Sequence, residues 1–434
     1  MTTILFSFMI ALALSLLLTP LAGKFGRRFG AIDMPNDRKI HTAPMPRSGG
    51  AAILISFLLA IILAKLWKTD ITDLLTLNNE TLFFLSGAMI VFGIGLVDDF
   101  HRIPASIKLL FQIAGASFAF FGGLRIAGLS FFGSLFATSI WSYAITVFWF
   151  LVIINAINLV DGMDGLAAGI VFFACIVMVI LDILKSDYLS ALFFATLGGS
   201  VLGFLRYNFN PASIFMGDSG SYFLGYAIAG FSIMNSIKAQ MSAILLIPVL
   251  ALGLPLFDTI LSTLRRFIRG RKIFSADNGH IHHKLLGLGL TTKRTVLMFY
   301  GVSCALCAIA VIMTVYRDEG AGLLLIILGA GAFFFVRKLG YLEYFAGDKL
   351  YGWLRDLRDV AGFSNERRSF LGLQMDAGKS KSHEELWLVV GIALEMLEFD
   401  YARLNLNSRE SDMDMRKKGA VSYTHLTLPT KRIV

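Results

Sequence analysis

The sequence is poor in charge and in cysteine. Only 16% of its 434 residues are charged, against roughly 25% in a soluble domain. The charges gather in clusters separated by long stretches that hold none. That excludes the string of about three soluble domains that length alone would suggest. The three cysteines, Cys175, Cys304 and Cys307, all lie in apolar stretches, which excludes a disulfide framework or a zinc ribbon. Cys304 and Cys307 read as packing residues. What the chain has in excess is hydrophobic residues, 56% of the total, and basic over acidic ones, 39 to 30. In a chain of this composition such an excess belongs to cytoplasmic loops, and no nucleic-acid partner is expected.

A membrane-crossing helix needs about 20 apolar residues, with ~17 near the lower limit. Charge-free runs near that length are 1–23, 49–64, 81–97, 109–124, 166–181, 188–205, 219–237, 239–257, 295–316 and 320–336. A longer run, 126–160, divides into a polar, glycine-containing hairpin at 128–138 and a span near 139–157. The first run lacks a basic leader and is followed at once by Lys24, Arg27 and Arg28. It reads as a retained start-transfer helix with its N-terminus outside. Loops 24–48 and 258–294 then hold 14 Lys and Arg, against 6 in all the opposite loops, which puts these two loops in the cytoplasm. Pro248 and Pro255 imply a kink, and Asp258 beside them reads as structural. The fold expected is an all-α polytopic membrane protein of about eleven transmembrane helices, with a small C-terminal soluble α/β extension. The membrane domain covers 1–340, an extension of unassigned role covers 341–420, and 421–434 resembles nothing before it and reads as a non-native tail. In the extension, Ser382 and Glu385 form a capping box ahead of an amphipathic run, 386–399, and 401–406 alternates as a strand does.

The polar residues collect at the ends of spans. Asp98 and Asp99 close the third. Asn155, Asn158, Asp161 and Asp164 follow the fifth at intervals of three, which on a helix forms one ridge. Asp218 precedes the eighth, and His280, His282 and His283 lie in the large basic loop. Each group alone has an ordinary explanation: a solvated helix end, a polar turn, an exposed histidine loop. Under the single topology set by Lys and Arg, all of them fall on the inner face. Carboxylates brought together repel unless a cation joins them. Magnesium takes oxygen ligands, usually one or two carboxylates plus substrate phosphates. Acids beside Arg and Lys therefore point to a metal–diphosphate site.

Four blocks carry a resemblance: Leu96-Val97-Asp98-Asp99; 155–166, from Asn155 to Leu166 through Asp161-Gly162-Met163-Asp164-Gly165; Phe215-Met216-Gly217-Asp218-Ser219-Gly220-Ser221; and His280-Ile281-His282-His283. The chain resembles the polyprenyl-phosphate N-acetylhexosamine-1-phosphate transferases from about residue 20 to 336. The His-Ile-His-His form, and a first loop running from Asp33 to His41 and on through Pro46-Arg47 to Gly49-Gly50, look like the branch that uses UDP-N-acetylglucosamine. The branch making phospho-N-acetylmuramoyl-pentapeptide lipid carries three consecutive histidines, and is the alternative. A secondary transporter is the rival from another class.

The resemblance implies a reaction. A UDP-amino sugar passes its sugar-1-phosphate to undecaprenyl phosphate and releases UMP, as the first membrane step of a cell-envelope polysaccharide such as lipopolysaccharide or teichoic acid. It places the protein in the bacterial cytoplasmic membrane with its site on the inner face, and leaves room for a homodimer. Asp218 is expected as the magnesium ligand, with manganese able to substitute. Asp98, Asp99, Asp161 and Asp164 are the expected catalytic acids, and a covalent route through Asp98 is open. Asn155, Asn158, His280, His282, His283, Lys108, Arg38, Lys39 and His41 are the expected substrate contacts.

Overall fold

A computed structural model describes residues 1–35, 43–67, 69–76, 78–126, 139–239, 252–253, 256–258, 285, 289–315, 331, 373, 377, 380, 382–396, 401–406 and 409–414. The chain divides into two units. One holds Met1–Ile260 and Asn278–Ile326, the other Leu261–Asp277 and Ile327–Val434.

In the first unit, helix α1 (Thr2–Phe29) ends at Gly30, whose φ of 85° provides the left-handed turn that stops it. Two-residue strands β1 (Ile32–Asp33) and β2 (Met45–Pro46) pair antiparallel, Ile32 opposite Pro46. Then come α2 (Gly49–Leu66), the short α3 (Asp70–Asp73), α4 (Asn79–Phe100), α5 (Ala105–Phe121), α6 (Ser139–Val160), α7 (Leu166–Leu184), α8 (Tyr188–Asn208), α9 (Gly217–Ala239) and α10 (Thr292–Val315). Asn78 caps α4, accepting the Thr81 amide at 2.9 Å, and Pro104 sets the start of α5.

Among the described residues, seven helices are long and apolar enough to cross a membrane: α1, α2, α4, α6, α7, α8 and α10. The protein is a multi-pass helical membrane protein. Helix α5 is a shorter apolar helix of 17 residues, and α9 runs for 23. These nine helices stand where the sequence places nine of its eleven runs. Runs 239–257 and 320–336, and the hairpin at 128–138, lie wholly or mostly outside the described residues.

Helix α9 lies in the middle, packed against α4, α6, α2 and α8. Every residue from Ser219 to Ile233 on it is buried. Helices can approach closely here because small residues sit at the crossings, a device common where lipid offers no hydrophobic drive to pack. A Cβ on Gly95 of α4 would lie 2.6 Å from both the Asp218 carbonyl oxygen and the Ser219 amide nitrogen. One on Gly225 would lie 2.5 Å from Ile154 Cα of α6. On α2, a Cβ at Gly50 would collide with the backbone of Gly220. The strand before α2 is laced to the segment before α9. Phe215 donates its amide to the Pro46 carbonyl at 2.8 Å, Gly49 to Phe215 at 3.0 Å and Gly50 to Met216 at 2.8 Å.

The second unit has helix α11 (His383–Met396) and strands β3 (Tyr401–Leu406) and β4 (Arg409–Asp414), paired antiparallel from Tyr401 opposite Asp414 to Leu406 opposite Arg409. Ser382 Oγ accepts the Glu385 amide at 3.1 Å, one half of the expected capping box. Residues 421–434 lie outside the described set.

The α4–α9 crossing yields a paired prediction. Gly95→Ala forces backbone apart and should cost about 1–3 kcal/mol, the range for overpacking, read as a lower melting temperature in detergent. Gly93→Ala, on the same helix with nothing within 4 Å of the new methyl group, should melt as wild type.

Candidate active site

The polar cluster forms where α4 and α6 end and α2, α5 and α9 begin. Its first requirement is to satisfy the start of α9, whose leading N–H groups have no partner within the helix. Asp99, fully buried at the end of α4, does this from across the interface. Its Oδ1 accepts the Asp218 amide at 2.8 Å, and its Oδ2 accepts the Ser219 amide at 3.1 Å and the Ser219 hydroxyl at 2.6 Å. Gly217 makes room for it. At a φ of 77°, an added Cβ would stand 2.5 Å from both Asp99 oxygens.

The capped helix presents Asp218 to a ring of donors. Oδ1 accepts from Arg47 Nη2 at 3.3 Å and Asn158 Nδ2 at 3.2 Å, while Oδ2 accepts from Lys108 Nζ at 2.8 Å. Lys108 also pairs with Asp98 Oδ2 at 2.9 Å, and the other Asp98 oxygen accepts the Ile103 amide at 2.8 Å. One ammonium thus bridges two acids from different helices. Arg47 lies 3.7 Å from Asp99 as well. Burial works against the charge on its guanidinium, but the carboxylates of Asp99, Asp218, Asp33 and Asp98 outweigh it and raise the pKa further. The Tyr222 hydroxyl faces Asp218 from one turn further along α9, and Ser221 Oγ accepts a second contact from Asn158 at 2.9 Å.

Asp161 differs from the rest. Its carboxylate has no hydrogen bond or ion pair among the described residues. Burial drives its pKa well above the ordinary carboxylate range. Asp218, Asp99 and Asp164 add to the shift and Arg47 opposes it. The loop carrying it is held from elsewhere. Asp164 Oδ2 accepts the Asn210 side chain and the Ala212 amide, both at 3.0 Å, and Asn208 Oδ1 accepts the Gly165 amide at 3.1 Å.

The structure therefore brings together Asp98, Asp99, Lys108, Asn158, Asp161 and Asp218. It turns Asp164 toward the loop after α8, and Asn155 toward Gln112 Oε1 and the Leu151 carbonyl, each at 2.8 Å. Arg38, Lys39, His41, His280, His282 and His283 lie outside the described residues. Arg47 and Tyr222 are additions. Arg47 had a signal, its place in the first-loop block that runs through Pro46-Arg47 to Gly49-Gly50; Tyr222 had none beyond its nearness to Asp218.

Asp98, Asp99, Asp161 and Asp218 set four carboxylates against two cations, Arg47 and Lys108. When all four are ionised the cluster lacks two positive charges. Among the described residues, no three His, Cys, Asp or Glu side chains converge as a self-sufficient cation site. Magnesium does not need three, since phosphates and water complete its shell. Asp218, and Asp161 with no donor among the described residues, fit such a partial set.

Residues 81–236, which contain every clustered acid, match the family described as glycosyl transferase family 4. The chain is 34% identical over 302 residues to a probable undecaprenyl-phosphate N-acetylglucosaminyl 1-phosphate transferase of Bacillus subtilis (strain 168), covering 69% of this chain and 82% of that one. It is 34% identical over 306 residues to a decaprenyl-phosphate N-acetylglucosaminephosphotransferase of Mycobacterium leprae, covering 65% and 76%. Identity to a phospho-N-acetylmuramoyl-pentapeptide-transferase of Halalkalibacterium halodurans is 31% over 331 residues, covering 72% and 97%.

Asp99 and Asp161 should separate in a thermal melt run in chelator. Asp99→Ala strands two buried amides and should cost about 1–3 kcal/mol for each group left unpaired. At Asp161 the raised pKa means that the folded chain holds the proton more tightly than the unfolded one. Its contribution to stability therefore falls as pH rises above the ordinary carboxylate range. Asp161→Asn removes that loss, so at pH 8 it should melt at or above the wild-type temperature. A clearly lower value would mean that the carboxylate has a structural partner.

Proposed function

The chain belongs to glycosyl transferase family 4, the polyprenyl-phosphate N-acetylhexosamine-1-phosphate transferases, and we propose that it transfers N-acetylglucosamine-1-phosphate from UDP-N-acetylglucosamine, or a related UDP-amino sugar, to undecaprenyl phosphate. UMP is released, and the product is an undecaprenyl-diphospho-sugar that begins a cell-envelope polysaccharide. The observation that carries this reading is the Asp218 carboxylate, held at 2.8–3.3 Å by Lys108, Asn158 and Arg47 at the end of an apolar bundle. There, a lipid-borne phosphate and a water-borne diphosphate can meet.

An oxygen of the acceptor phosphate attacks the phosphorus that bears the sugar. The bond from that phosphorus to the bridging oxygen breaks, and UMP departs with the oxygen and its electron pair. A phosphate monoester has its second pKa near ~6, so the nucleophile is largely dianionic at neutral pH and needs little help from a base. The difficulty is in bringing anions together, and the site meets it by position and charge. Lys108, between Asp98 and Asp218, supplies a point charge to the acceptor phosphate. Arg47 offers a planar fork to the donor diphosphate. Asp98 orients the attacking group or takes its residual proton. Asn158 keeps Asp218 in register, and Asp99 fixes the helix that bears it. Asp218 and Asp161 are the residues that would hold magnesium, which would supply positive charge against the phosphates; manganese shares the preference for oxygen ligands. The excess of Lys and Arg in the sequence of loops 24–48 and 258–294 supports a cytoplasmic orientation for this end of the bundle, on the side where a UDP-sugar would be.

The muramoyl-pentapeptide donor is less favoured. Identity to that kind of relative is lower, 31% against 34%, and His280-Ile281-His282-His283 departs from its three consecutive histidines.

The test is transfer of radiolabel from a panel of UDP-sugars into undecaprenyl phosphate by the purified protein, with UMP measured alongside. N-acetylglucosamine should be transferred and UMP released in equal amount. Transfer from UDP-muramoyl-pentapeptide alone would select the other branch, and solute uptake without UMP would select a transporter. Asp218→Asn should lower turnover by roughly 10²-fold or more, the scale for losing one electrostatic element of a transition-state site. Chelation should abolish turnover, with recovery on adding Mg²⁺ or Mn²⁺.

A further inference from the structure

Tyr300 stands outside every motif, on α10, yet it reaches the loop that carries Asp161. Its hydroxyl donates to the Gly165 carbonyl at 2.6 Å. Gly165 closes the loop at a φ of 77°, and its carbonyl also accepts the Gly169 amide at 2.9 Å. The tyrosine ring fills a notch at the start of α7. A Cβ on Gly169 would fall on the ring. Phe173 meets it edge-on at 5.5 Å, and Phe209 lies at 6.4 Å. On the other side, Asn208 takes the Gly165 amide, and Asn210 with Ala212 takes Asp164.

The loop is thus gripped at both backbone groups of Gly165 and at Asp164. Asp161, the member with no partner among the described residues, is left facing the cluster. A residue without bonds of its own can keep a fixed position only if the backbone beneath it is fixed. We propose that Tyr300 is a positioning residue. Its hydroxyl, through Gly165, sets the 161–165 loop so that Asp161 stands against Asp218. This rests on the reading of the cluster as the reaction site.

The experiment compares Tyr300→Phe with wild type in full-length protein, by steady-state kinetics and by hydrogen exchange of the 158–170 peptides. Tyr143→Phe is the control. It removes a hydroxyl contact of similar length, 2.9 Å to Ser117, near the other end of α6. Tyr300→Phe should lower kcat about tenfold, the equivalent of ~1.4 kcal/mol and within reach of one neutral hydrogen bond. The KM for the lipid acceptor should stay unchanged, and amide exchange should quicken at 162–169. Tyr143→Phe should change neither kcat nor that exchange. Gly169→Ala, which displaces the ring, should reproduce the Tyr300→Phe kinetics, and its effect should shrink in a Tyr300→Leu background. Wild-type kcat and unaltered exchange in Tyr300→Phe would overturn the proposal, as would equal losses in the Tyr143→Phe control. The exchange measurement needs no turnover. An inactive wild-type protein would therefore count against the transferase reading, while faster exchange in Tyr300→Phe would still support the clasp.

Discussion

Everything in the polar cluster depends on how the first turn of α9 is satisfied. A helix that starts inside an apolar bundle brings unpaired N–H groups with it, and leaving them unpaired is expensive where water is scarce. Asp99 settles the matter from a neighbouring helix with two oxygens and three donors. Because the cap comes from α4, it also ties α4 to α9 at one height. Asp98, next to it in sequence, is carried to the same level, where Lys108 spans it to Asp218. A local need for hydrogen bonds becomes the register of the whole site.

The glycines make that register attainable. Gly95, Gly217, Gly50 and Gly220 lie where backbones or side chains of α2, α4 and α9 pass too closely for a Cβ. Magnitude decides their role. An ordinary interior glycine costs a helix about 1 kcal/mol relative to alanine, whereas a forced gap at this crossing would cost more and would also part Asp99 from the amides that it caps.

Much of this was legible in the sequence and some was not, for physical reasons. Nine helices lie where charge-free runs of membrane-spanning length predict them, because in lipid the backbone has few alternatives. The clustering of Asp98, Asn158, Asp161 and Asp218 followed from topology, since all sit at span ends on one side. The i, i+3 spacing from Asn155 to Asp164 implies one polar ridge, but the helix ends at Val160. Asp164 turns away in the following loop, and Asn155, a turn and a half earlier, finds Gln112 of α5. Spacing cannot reveal which neighbour a polar side chain meets. The same limit hid Tyr300, which lies 135 residues from its partner Gly165 in a stretch that otherwise reads as plain apolar helix.

The lacing of Pro46 to Phe215 has a consequence for biosynthesis. Arg47 and Asp218 are 171 positions apart. At ~5–20 residues per second of synthesis, the arginine emerges roughly ten to thirty seconds before the acid that will hold it. Until then the nascent chain has seven helices of the bundle, α1, α2 and α4 to α8, and lacks the helix that carries Asp218. A ribosome that stalls before α9 leaves Arg47, Lys108 and Asn158 without the carboxylate that joins them.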